Sequence, residues 1–347
     1  MRRELVIITG LLTAGIALHL PASAQQVYEG VCDASAAIAV DAVHFLVAED
    51  ETDVLWIYRN DKPRNKPVGG GFDLSAKLRT DPKRESDIEG AARVGDYIYW
   101  ITSHGRNRKG KLRENRNRLF ATKIAGKPGD LRLMWLGRYD HLIRDMLNPT
   151  AWTNPDAPIT VQTIRLLERA TRPHQKDVRK LAPKDQGLNI EALAAFPDGS
   201  GLLIGLRNPT LDGKALILPL MNPGALMTGK EAVSRFDAPI LLNLHGLGLR
   251  AMAHHPGRNV FFLVAGPSGS DGPFKLFQWS GIRDAAPVLI RKIQSEAGSH
   301  PEAIMIYPGT SRIQILNDEG SRLIDGIPCK EMDKAKMRFS GSWLDID

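Results

Sequence analysis

Five short phrases of similar wording recur along this 347-residue chain, and they limit its fold more than any other feature. Each is a small-and-apolar segment, then a turn, then a β-rich strand. Asp87-Ile88-Glu89-Gly90-Ala91-Ala92 leads to Tyr97-Ile98-Tyr99-Trp100-Ile101, and Asn189-Ile190-Glu191-Ala192-Leu193-Ala194 leads to Leu202-Leu203-Ile204. Gly248-Leu249-Arg250-Ala251-Met252-Ala253 leads to Val260-Phe261-Phe262-Leu263-Val264, and His300-Pro301-Glu302-Ala303-Ile304-Met305 leads to Ile313-Gln314-Ile315-Leu316. The faintest copy is Asp33-Ala34-Ser35-Ala36-Ala37-Ile38, before Phe45-Leu46-Val47. Their third positions fall at 35, 89, 191, 250 and 302, at intervals of 54, 102, 59 and 52. Units of about 40–50 residues or slightly more, each with several short strands, mark a β-propeller. Further strands are expected at Val54–Tyr58, Leu119–Ile124, Ala215–Leu220 and Phe274–Trp279, with outer ones at Arg132–Gly137 and Ile240–Leu244.

The doubled interval holds the one stretch of different character. Leu142–Leu147 and Val161–Thr171 space their apolar residues as helices do, with Pro149, Pro155 and Pro158 between them. The expectation is an all-β propeller of five blades, closed by the terminal strands, with one helical insertion at about 139–186. Six blades is the alternative, if that interval conceals a degenerate copy. An open β-solenoid would also repeat, but the chain ends argue for closure. Only Cys32 and Cys329 occur, near opposite ends, and no zinc-ligand spacing surrounds them. They are expected to form a disulfide. A strand at Val27–Gly30 could then complete the last blade.

Arg2 and Arg3 precede an apolar run from Leu5 to Leu20 and then Pro21-Ala22-Ser23-Ala24. This is the pattern of a secretory signal peptide over residues 1–24, leaving residues 25–347 as a single domain. A periplasmic or secreted monomer is expected, without a transmembrane segment after signal removal.

In a propeller, the loop before the first strand of each blade and the loop after the second open on the same face. Both places are polar here. Asp33, Asp87, Glu89, Asn189, Glu191, Arg250, His300 and Glu302 precede or begin first strands. Glu49, Asp50, Ser103, His104, Arg207, Asn208, Asn317 and Asp318 follow second strands. Repeat geometry would gather them around one axial mouth. Asp87, Asn189 and Glu302 are candidate ligands for Ca²⁺, Mg²⁺ or Zn²⁺, since carboxylates and amide oxygens suit such ions. Glu89, Glu191, His104 and His300 are candidate acid–base groups. Arg106, Arg108, Arg207, Asn208 and Arg250 are candidates to hold an anionic substrate. The competing reading is that these groups stitch neighbouring blades together, with Arg250 neutralising buried glutamates.

A basic loop, Arg106-Asn107-Arg108-Lys109-Gly110-Lys111-Leu112-Arg113 with Arg116 and Arg118, leaves the same face. With a net charge of +7, an anionic small molecule or an envelope polyanion is the expected partner. Nucleic acid is not expected, because no recognition-helix or zinc-finger pattern is present. Gly-x-Ser-x-Gly, Walker A and His-Glu-x-x-His motifs are all missing. Gly69-Gly70-Gly71 has no lysine behind it and reads as a turn, and His254-His255 falls at the end opposite the mouth.

Ser103-His104-Gly105-Arg106-Asn107 with its basic tail to Phe120, Asn189-Ile190-Glu191, and Leu203-Ile204-Gly205-Leu206-Arg207-Asn208-Pro209 resemble a bacterial family catalogued as domain of unknown function 3616. The resemblance spans nearly the whole mature chain and implies a secreted all-β domain. Asn208-Pro209 stands where that family's Gly-Pro is expected, a local departure. More distantly, the Ile-Glu-Gly phrase is similar to phytase-like esterase propellers, and a metal-bound axial site is similar to gluconolactonase-type lactonases. Two functions are therefore expected in competition. One is metal-assisted hydrolysis of an anionic ester, a phosphate ester or sugar lactone. The other is a non-catalytic binding propeller of the cell envelope.

Overall fold

The small side chains of the repeated phrases are explained by where they end up. In a computed structural model describing residues 25–49, 51–81, 84–126 and 130–346, the phrases form the innermost strands of five sheets around one axis. Strands crowded at an axis leave no room for bulk. A β-carbon on Gly90 would stand 3.0 Å from Leu193 Cβ in the next blade.

Blade I comprises Ala36–Ala39, His44–Ala48, Val54–Arg59 and Phe72–Asp73. Blade II comprises Ile88–Val94, Tyr97–Thr102, Leu119–Ala125 and Arg132–Tyr139. Blade III comprises Asn189–Ala195, Leu202–Asn208, Ala215–Leu220 and Ile240–Leu242. Blade IV comprises Gly248–His255, Val260–Gly266, Phe274–Trp279 and Val288–Ile293. Blade V is built from His300–Ile306, Arg312–Asp318 and Arg338–Asp345, and the N-terminal strand Gln26–Glu29 completes it. That strand pairs antiparallel with the last one, Val27 opposite Ser340. The inner strands neighbour one another in cyclic order, blade V returning to blade I. The ring is closed, so neither the six-bladed nor the solenoid alternative is formed.

Five hydrophobic clusters fill the five interblade spaces. At the closure, Tyr28 lies against Phe45 of blade I and stacks on Phe339 of blade V, with ring centroids 5.2 and 4.9 Å away. The Tyr28 hydroxyl donates to Gln26 Oε1 at 2.8 Å, and Trp343 Nε1 donates to the same oxygen at 2.8 Å. Cys32 and Cys329 form a disulfide across 297 residues of sequence, with Cα atoms 5.9 Å apart.

The doubled interval is the helical insertion. Its helices, Leu142–Met146 and Pro158–Thr171, turn Leu142, Met146, Leu167 and Ala170 onto the blade II–III core. Trp152 stacks on Phe236 at 4.9 Å, tying the insertion to the outer part of blade III. The signal-peptide pattern at residues 1–24, and Asp50, lie outside the described residues. No described helix is long and apolar enough to cross a membrane.

Candidate functional site

The third position of each phrase has a structural meaning that the spacing alone does not disclose. In blades II to V the inner strand carries a β-bulge there. The register slips between Ile88 and Gly90, Ile190 and Ala192, Leu249 and Ala251, and Pro301 and Ala303. Glu89, Glu191, Arg250 and Glu302 are the extra residues. A bulge re-aims one side chain without ending the strand, and four copies set four charged groups around the axis. Blade I has no bulge. Ser35 takes the equivalent place, its hydroxyl donating to the Ile88 carbonyl of blade II at 2.6 Å.

These residues form the floor of an axial mouth of about 1040 Å³. Asp33, Asp87, Asn189, Arg207, His300 and Asp318 stand in its wall, as the repeat argument required, and Arg108 lines it too. The tail of the helical insertion adds Arg179, Lys184 and Asp185.

Much of the charge is internally paired. Arg250, 3% exposed, bridges two blades: Nε lies 2.9 Å from Glu191 Oε2, and Nη2 pairs with Glu302. Burial lowers the Arg250 pKa to about 10, opposed by Glu191. Arg207 Nη1 pairs with Glu191 Oε1 at 2.8 Å, while its other nitrogens donate to the Pro267 and Gly269 carbonyls of blade IV. Asn189 Nδ2 donates to Glu191 Oε1 at 2.6 Å. Asp87 accepts from Arg116 Nη1 at 2.7 Å, and Arg116 also holds Glu85. Burial raises the Asp87 pKa, with Arg116 opposing. Buried charges left unpaired cost several kcal/mol, so this ion-pair network ties the inner strands of blades III, IV and V to one another.

In one wall, His300 and Asp318 adjoin Glu302, which is already held by Arg250. His300, Glu302 and Asp318 place a ligand atom each within 4.8 Å of one another. His300 and Asp318 are register partners on adjacent strands of blade V, which explains the proximity. Burial lowers the His300 pKa, and Arg250, Lys184 and Arg207 push the same way against Asp318. The imidazole is therefore neutral near pH 7, able to act as ligand or base. Lys184 is lowered as well, by burial first and then by Arg207 and Arg250. This grouping differs from the expected metal set of Asp87, Asn189 and Glu302. Asp87 is drawn to Arg116 on a neighbouring loop that spacing cannot relate, and Asn189 to Glu191 two residues along its own strand.

Three expected site residues, His104, Arg106 and Asn208, have other surroundings. The mouth does not include His104 or Arg106, which line a separate cavity beneath the helical insertion. Arg106 spends Nη1 and Nη2 on the carbonyls of Gly110, Thr171, Arg172, Gln175 and Lys176, at 2.7–3.1 Å. It caps the C-terminal end of Pro158–Thr171, where unpaired carbonyls attract a cation. Asn208 Nδ2 donates to the Pro183 carbonyl at 2.7 Å and pins the tail of the insertion. Arg108 is exposed at the rim. Arg116 and Lys184 were not singled out. Arg116 sits in a basic run that looks uniform in sequence, and nothing local marks Lys184.

Over 94% of this chain and 95% of the other, the fold superposes on a glycoside hydrolase family 43 β-1,3-galactosidase with galactodeoxynojirimycin, at 12% identity and a TM-score of 0.50. A putative oxidoreductase (glucose dehydrogenase) from Thermus thermophilus matches over 92% of this chain and all of its own, at 12% identity and a TM-score of 0.43. These likenesses are of fold. No curated protein matches in sequence. The model of a family described as "protein of unknown function (DUF3616)" matches residues 33–300, more than half of the chain, and the protein belongs to that family.

Proposed function

We propose that the axial mouth binds an anionic small molecule and hydrolyses an ester bond in it, a phosphate ester or a sugar lactone. The observation that carries this reading is the His300–Glu302–Asp318 grouping, three donors within 4.8 Å facing a cavity of about 1040 Å³ beside buried arginines. One imidazole and two carboxylates are a donor set that suits Zn²⁺ and leaves a position open. A metal held there would acidify a bound water and polarise the ester oxygen. His300, if not a ligand, takes the proton of the attacking water, and Asp318 steadies the imidazolium so formed. Lys184 in the wall and Arg108 at the rim attract the substrate's negative charge, while Arg207 and Arg250, held by Glu191 and Glu302, add to the positive field behind them. The disulfide and the N-terminal sequence pattern support export to the periplasm or beyond.

The test is metal content of the purified protein together with turnover on a panel of phosphate esters and lactones. One equivalent of divalent metal is expected, with kcat/KM falling at least about 100-fold in His300→Ala and Asp318→Asn while thermal stability is kept. Absence of both metal and turnover would overturn this reading. A second reading, a non-catalytic binding propeller, is favoured by the way Glu191, Arg207, Arg250 and Glu302 satisfy one another. It predicts anion binding by calorimetry with no turnover.

A further inference from the structure

Blade II and the helical insertion enclose a second cavity, of about 640 Å³. Leu112, Ile143, Leu147, Ala170 and Leu188 make an apolar wall, and His104 stands beside them. His104 holds φ at 52°, a conformation that a residue other than glycine keeps only when its surroundings impose it. Its Nδ1 donates to the Thr102 carbonyl at 2.8 Å, which leaves Nε2 as a bare acceptor. The ring is 3% exposed, and Nε2 has no hydrogen-bond partner. An unpaired buried acceptor costs about 1–3 kcal/mol, so this nitrogen favours any molecule that brings it a donor.

The guanidinium groups in the wall are largely engaged, Arg106 keeping only its Nε unpaired. Arg106 is held by main-chain carbonyls, Arg118 by the carbonyls of Leu78, Glu114 and Asn117, and Arg144 by Asp145. An anion entering here would have to compete with those carbonyls and with Asp145 for the guanidinium groups, and the carboxylates of Glu114 and Asp140 in the same wall would repel it. We propose that this cavity binds an uncharged small molecule with an apolar body and one hydroxyl or N–H donor, the donor directed at Nε2 of His104. The site is separate from the mouth and does not depend on what the mouth does.

The probe is 2-naphthol, titrated by fluorescence, with naphthalene as the partner lacking a donor. His104→Asn suits the test, because asparagine tolerates a positive φ and can keep the bond to Thr102, yet ends short of the Nε2 position. Ile143→Trp adds bulk to the cavity and leaves the identity of His104 unchanged. Saturable one-site binding of 2-naphthol is expected, weakened about tenfold by His104→Asn and abolished by Ile143→Trp. Naphthalene should bind about tenfold more weakly than 2-naphthol and be indifferent to His104→Asn. Binding that survives Ile143→Trp, or naphthalene binding as tight as 2-naphthol, would overturn the proposal, as would no saturable binding at all. Should His104→Asn fail to fold, the Ile143→Trp and naphthalene comparisons decide.

Discussion

Replacing Cys32 and Cys329 together by alanine tests how the ring is held shut. The bridge spans 297 residues of sequence, nearly the whole described chain. In the chain-entropy account, closing a loop of that length removes about 19 cal/mol/K from the unfolded ensemble, or about 6 kcal/mol at 25 °C. Native disulfides lost from proteins commonly cost about 2–5 kcal/mol, so a fall of about 4–6 kcal/mol is the expectation. The folded ring itself should persist, because Gln26–Glu29 stays paired with Arg338–Asp345 and Tyr28 stays packed between blades I and V. The assay is urea unfolding followed by tryptophan fluorescence, comparing the oxidised protein with the double variant. The slope against urea should also rise, since an uncrosslinked unfolded chain exposes more surface. A loss below about 1 kcal/mol with an unchanged slope would refute the reasoning: the ends would then be held near each other in the unfolded chain without the bridge.

Arg250→Met should destabilise the ring by about 3–5 kcal/mol, because it leaves Glu302 and one of Glu191's two cationic contacts unmatched in a buried place. Adding Glu302→Leu should recover part of that loss, whereas Arg132→Met, at an exposed pair, should cost under about 1 kcal/mol in the same denaturation assay. His104 gives a pH signature. Burial lowers its pKa from 6.5 to about 4, with the Thr102 hydrogen bond opposing. The unfolded chain therefore takes up the proton first, so the contribution is whole above about pH 6.5 and declines as pH falls towards about 4. The loss amounts to about 3 kcal/mol, read as the difference between wild type and His104→Asn across that range. Parallel stability curves for the two proteins would contradict it.

The repeated phrases made the blades legible because a propeller is built from local hairpins. Every strand expected from the phrases is present, most within a residue or two, although Leu202–Ile204 runs on to Asn208 and the first phrase becomes strand only from Ala36; the insertion's helices begin and end near their apolar periodicity. The third-position residues were legible as a set for the same reason, since identical places in identical units meet at the axis. What could not be read was the destination of each side chain once there. His104 and Arg106 follow a second strand, as a mouth residue should, but the insertion comes down over that loop and offers Arg106 the carbonyl end of a helix. Asp318 and His300 are 18 positions apart, and only their strand register sets them side by side.

From its own wording, then, the chain determined a closed ring, the linkage of its ends and the face on which polar groups collect, because repeated phrases, their intervals and the placing of two cysteines can be read along a chain without coordinates. The tertiary structure alone decided which carboxylate meets which arginine, that the bulges aim Glu89, Glu191, Arg250 and Glu302 towards the axis, and that the insertion divides one expected site into two cavities. Those outcomes depend on distances between loops far apart in sequence, and an ion pair or a pocket exists only where such loops come within a few ångströms.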